Sequence, residues 1–95
     1  MANYADLVAT LSAIHINDRK RHRVNEVAGY LIVYLLKEKC DRLSKNELQE
    51  LLKASANRIW DTYQIKRKDK SLLAKDVALQ AINTEIEFLT KEFNL

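Results

Sequence analysis

The chain has no proline, one glycine and one cysteine among its 95 residues. Sheets need turns, and turns lean on Gly and Pro for their special φ values. A β-rich fold would have to build every turn here from Asn, Asp and Ser. A single glycine also leaves almost no material for a phosphate-cradling loop. The sequence contains no G-x-G-x-x-G, no P-loop and no nucleophile elbow. Cys40 stands alone, which excludes an intramolecular disulfide and points to a reducing compartment. Long apolar runs are missing as well. The longest, Val27 to Leu36, is ten residues, against the roughly 20 that span a bilayer. The N-terminus has no charged-then-apolar signal pattern. The expected location is therefore the cytoplasm, or the nucleus if the source is eukaryotic, with no membrane partner.

Metal and catalytic chemistry is equally thin. His15, His22 and Cys40 are the only soft or borderline ligands, and none is paired at C-x-x-C or H-x-x-x-H spacing. His15 falls at the edge of an apolar stripe, the place of a structural histidine. Nothing local pairs Cys40 with a histidine for nucleophilic chemistry. The acidic residues are scattered, without a calcium-loop pattern. These absences point away from an enzyme. No cofactor, metal site or small-molecule substrate is expected.

What is present is helix. Apolar residues make up 47% of the chain and charged residues 31%, a balance that suits one globular domain over residues 1–95. Ala, Leu, Lys and Glu dominate, and they are good helix formers. Four helices are expected, in an up-down bundle with short connections. The first starts near Asn3, with Asp6 in its first turn. Tyr4, Leu7, Val8, Leu11 and Ile14 make one stripe, and Asn17-Asp18 breaks it. The second is expected from about Asp18 to Arg42. Val24, Val27, Ala28, Leu31, Tyr34 and Leu35 form its stripe, and Tyr30, Ile32, Val33 and Leu36 make its middle apolar nearly all round. Such a helix is either central to the bundle or part of a subunit interface. A buried strand is the rival reading, but the flanking segments have helical periodicity.

The third helix has the best start signal. Ser44-Lys45-Asn46-Glu47 is a capping box, with Leu43 and Leu48 placed for a hydrophobic staple. Leu48, Leu51, Leu52, Ser55, Ala56, Ile59, Trp60 and Tyr63 trace its buried face, with the polar tips of Trp60 and Tyr63 expected near the surface. In the fourth helix, capped by Asp69 or Ser71, the residues Leu72, Leu79, Ile82, Ile86, Leu89 and Phe93 follow a heptad-like seam with one missed position. Self-association is expected, as a homodimer, through Tyr30, Val33, Tyr34 and Trp60.

Charge is unevenly spread. Arg19, Lys20, Arg21 and Arg23, with His22, make one basic cluster, and Lys66, Arg67, Lys68 and Lys70 make another. An up-down bundle gathers both clusters at one end. Their eight basic residues less Asp18 and Asp69 leave +6 there. The rest of the chain, with eight basic and eleven acidic residues, carries −3. A mild net charge of +3 thus hides a dipolar molecule. Such an end could take nucleic acid backbone. It could equally dock on an acidic protein surface, as an inhibitor, chaperone or immunity-type factor of phage or plasmid origin would. The bland reading is that Lys66 to Lys68 only complement a helix C-terminus, and that Arg19 to Arg23 do the same if the first helix runs on through them. Neither cluster holds an aromatic residue for base stacking, and the turn at Leu43-Ser44 lacks the glycine of a helix-turn-helix, so any nucleic-acid contact is expected at the backbone.

Leu43-Ser44-Lys45-Asn46-Glu47-Leu48, with Ala54 and Arg58 following, resembles a stretch of the Hha/YmoA family of small nucleoid-associated regulators. The likeness covers about 16 residues, and most of it is the capping box and the leucine after it. The resemblance implies a helical protein acting on transcription through a DNA-organising partner. No functional residue is carried across from it.

Overall fold

The computed structural model describes residues 22–95, and the first expected helix lies outside the described residues. Among the described residues there is no strand. The elements are α1 (His22–Leu36), a 3₁₀ segment (Lys37–Arg42), α2 (Lys45–Lys66) and α3 (Ala74–Glu92). They correspond to the second, third and fourth helices expected from sequence. The architecture is all-α, with three α-helices among the described residues, and a bundle of four is not shown by them.

The run Val27 to Leu36 is helical, so the strand alternative is excluded. The α-helix stops at Leu36, six residues short of the expected end at Arg42. Lys37 takes a left-handed φ of 47°, which ends the α-helical hydrogen-bond ladder, and the chain tightens into the 3₁₀ segment. Lys39 reaches from that segment to donate from Nζ to the Phe93 carbonyl at 2.9 Å. A cation thereby meets the free carbonyl end of α3.

α2 begins as its sequence demands. Ser44 Oγ accepts from the Glu47 N–H and Glu47 Oε1 accepts from the Ser44 N–H, both at 3.1 Å. At the other end of the chain, Asn94 takes φ 53° and Leu95 N–H donates to the Thr90 carbonyl at 2.9 Å. This is the long bond of a Schellman stop, with Asn tolerating the left-handed position.

α2 packs against both α1 and α3. The main core joins Val24, Val27, Ala28 and Leu31 of α1 to Ala56, Ile59 and Tyr63 of α2 and to Val77, Ala78, Ala81 and Ile82 of α3. A second cluster joins Ile32 and Leu36 to Leu89, with Leu48, Leu51, Leu52 and Phe93 packed on it. The start of α1 thus meets the end of α2 and the start of α3, and the end of α1 meets the reverse ends. Consecutive helices run up, down, up.

Three stripes shift from expectation. On α1, Ile32 and Leu36 are buried while Tyr34, placed in the stripe by sequence, is 70% exposed. The 100° step per residue carries Tyr34 round to the side away from α2. On α2, Tyr63 is fully buried, hydroxyl included, whereas Trp60 is half-buried against the main core. On α3, Leu79 is only half-buried, and Val77, Ala78, Ala81 and Glu85 take the interior positions. Ala78 and Ala81 share the main core with Ala56 of α2. Leu72 precedes the helix instead of opening its seam.

Candidate anionic-partner interface

The connection from α2 to α3 carries the second basic cluster. Lys66 is the last residue of α2, in the turn where a cation complements the helix dipole. The Arg67 N–H still donates to Tyr63 O at 2.9 Å, and then the chain turns: Asp69 N–H donates to Lys66 O and Leu72 N–H to Asp69 O, both at 3.1 Å. Asp69 organises this loop. Its Oδ1 accepts from the Ser71 N–H at 3.0 Å and from Ser71 Oγ at 2.6 Å. Those two bonds, with the Lys66 charge nearby, hold the Asp69 carboxyl below its usual range. Neither Asp69 nor Ser71 caps α3 as expected. The carboxylate is spent inside the loop, and Leu73, with no side-chain cap bond, precedes the first turn of α3.

Lys66, Lys68 and Lys70 are exposed, and Arg67 is half-buried with an interaction of its own. Lys75, the second residue of α3, is a further exposed cation close in sequence to this loop. Sequence reading stopped at the contiguous run and missed it. Of the first cluster, Arg19, Lys20 and Arg21 lie outside the described residues. Arg23 is the second described residue of α1, and its side chain lies outside the described positions. What the described residues establish is that the start of α1, the end of α2 and the start of α3 share one core. At the other end, the stretch Lys37 to Glu50 interleaves four basic with four acidic residues and presents no single sign.

The predicted self-association residues divide. Tyr30, Val33 and Tyr34 are 49%, 65% and 70% exposed on α1, while Trp60 is half-buried on α2. Two further features were not singled out in the sequence. Glu85 is buried in α3, where Arg58 grips it at 2.9 Å through both Nε and Nη2, and Ser55 Oγ donates to it at 2.6 Å. Arg58 also lies 3.9 Å over the Phe88 ring. The signal was available: Glu85 falls in the same helical row as Ala81, Ile82 and Leu89, where an unpaired carboxylate would be costly. The second feature is a shallow groove of about 460 Å³ lined by Leu43, Asn46, Glu47, Glu50, Leu51 and Phe93.

Cys40 is half-buried, with Sγ 3.6 Å from the Ile32 carbonyl. Burial, then the Asp41 charge, push its thiol upward, away from the thiolate form that a nucleophile needs. Among the described residues no group of three or more His, Cys, Asp or Glu could hold a metal ion. No described helix is long and apolar enough to cross a membrane. No family model, curated protein or solved structure matches the chain.

Proposed function

We propose that this protein is a small non-enzymatic accessory or regulatory factor that binds the nucleic acid backbone through the basic end of its bundle. The observation that carries the reading is the up-down packing. It sets the Lys66–Lys70 loop beside the start of α1, into which the Arg19–Arg23 cluster feeds directly along the chain. Exposed lysines on a loop organised by Asp69 can meet phosphates without rearranging the core. No aromatic platform accompanies them, so contact is with phosphates and is insensitive to base sequence.

The test is an electrophoretic mobility shift with duplex DNA and RNA across a salt series, using the intact chain and a variant with Lys66→Gln, Lys68→Gln and Lys70→Gln together. The complex is expected to weaken steeply with salt. If all three lysines meet phosphates of B-form DNA, the variant's log–log slope becomes shallower by about 2.7. Absence of a complex at low salt, a complex that ignores salt, or equal binding by the variant would overturn the proposal.

One observation favours a second reading. Ile65 and Leu73, 66% and 71% exposed, bracket the basic loop. A mixed apolar and basic surface suits an acidic protein partner, to which the apolar residues add contact that phosphate backbone would not use. Substituting Ile65→Ser and Leu73→Ser separates the two readings. Nucleic-acid binding would hardly change, whereas protein docking would weaken strongly.

A further inference from the structure

The outer face of α1 has the pattern of a pairing seam. Glu26, Tyr30 and Val33 follow the 4-3 spacing at which one helix meets another along its length, Tyr34 lies beside the row, and Lys37 follows as the first residue past the helix end. All five are exposed. The α1 residues that pack on α2 and α3 are different ones: Val24, Val27, Ala28, Leu31, Ile32 and Leu36. The seam is therefore free of the core that the described residues form. It has a short apolar centre with an acidic residue at one end and a basic residue at the other.

That order is self-complementary in one direction only. Two copies of α1 laid antiparallel about a two-fold axis between the levels of Leu31 and Ile32 set Tyr30 against the partner's Val33. The same register sets Glu26 against the partner's Lys37, and symmetry makes each contact twice. A parallel, in-register pair would instead place Glu26 on its own copy and Lys37 on its own copy, two repulsive contacts. We propose that α1 is a homodimerisation surface on which a second copy of this chain docks antiparallel, with Tyr30, Val33 and Tyr34 at the centre and Glu26–Lys37 ion pairs at both ends. The three apolar side chains offer a few hundred Å² per copy. Together they fall below the roughly 1,200 Å² of a standard stable interface, so the dimer is weak and concentration-dependent. The pair is independent of the basic end, which lies at the N-terminal side of α1 in each copy. An antiparallel dimer carries its two basic ends at opposite extremes.

Sedimentation equilibrium from about 10 μM to about 1 mM, the range for a modest interface, tests this on the intact chain. The wild type is expected to dimerise within that range. Glu26→Lys and Lys37→Glu are each expected to weaken it about five- to tenfold, because each creates two like-charge contacts by symmetry. Mixing the two variants in equal amounts restores opposite charges at both ends and is expected to return wild-type affinity or better. That recovery also shows that both variants are folded. A wild type that stays monomeric at 1 mM, single variants that dimerise like the wild type, or a mixture that does not recover would overturn the proposal. The Lys66, Lys68 and Lys70 variant is expected to dimerise normally, so loss of nucleic-acid binding and loss of pairing are told apart.

Discussion

The least apparent residue in the sequence is the most constrained one in the fold. Glu85 is 2% exposed, and its two carboxylate oxygens are met by Arg58 on two nitrogens and by Ser55. A carboxylate moved from water to such a site costs several kcal/mol unless it is paired and hydrogen-bonded. Arg58 supplies the charge in side-on geometry and stays partly in water. The Phe88 ring beneath its guanidinium adds a cation–π contact of about 0.5–1 kcal/mol. Removing one partner is more damaging than removing both. Arg58→Leu is expected to lower unfolding stability by about 3 kcal/mol in urea titration, since it strands the Glu85 charge. The double change Arg58→Leu with Glu85→Leu is expected to recover part of that loss. Equal losses in the single and double variants would show that the pair itself, and not the stranded carboxylate, carries the stability.

At the scale of elements, local rules and their exceptions set the helix ends. The capping box of α2 was legible because Ser and Glu three residues apart satisfy two end amides through their own side chains. Its charge has a pH signature. Hydrogen bonds from the Ser44 backbone and side chain hold the Glu47 carboxyl below its ordinary value. A depressed carboxyl stabilises the fold fully above its unfolded pKa and loses that contribution as pH falls through the folded pKa. The difference in melting temperature between wild type and Glu47→Gln is therefore expected to be steady near neutrality and to shrink below about pH 4. A difference that does not change with pH would show that the carboxylate charge contributes nothing. Gly29, in the middle of α1, is not required by the backbone. A methyl group there would meet Leu52 Cδ2 at 3.8 Å, an ordinary contact, and its φ is not positive. Gly29→Ala is expected to stabilise by about 0.5–1 kcal/mol, read as a rise of a few degrees in melting temperature. The end of α1 was less legible. Lys37 turns left-handed with no glycine to announce it, because the packing of Leu36 and Cys40 around Ile32 and Leu89 fixes where the chain must turn.

For the whole molecule, topology decides what the charges can do. Lys66 to Lys70 is an ordinary charged linker in isolation. Up-down packing brings it to the end where α1 begins and leaves the mixed charges of Lys37 to Glu50 at the other. Because Lys66, Lys68 and Lys70 are exposed, their triple replacement by Gln is expected to leave the melting temperature within a few degrees of wild type. A loss of binding in that variant then reports the interface and not the fold. The exposed face of α1 belongs to the same scale. Sequence showed a helix apolar nearly all round, yet only packing separates the residues that face α2 and α3 from Tyr30, Val33 and Tyr34.

The sequence by itself determined the helical class, the start of α2 and most of its buried face. These follow from propensity, capping chemistry and 3.6-residue periodicity, all of which act within a few residues. Tertiary structure decided which edge of each stripe is interior: Ile32 and not Tyr34, Ala81 and Glu85 and not Leu79. It also decided that Asp69 ties its own loop instead of capping α3. The reason is that a stripe wider than one contact can be buried in several orientations. The choice among them depends on the shape and charge of the facing helix, and no single segment contains that information.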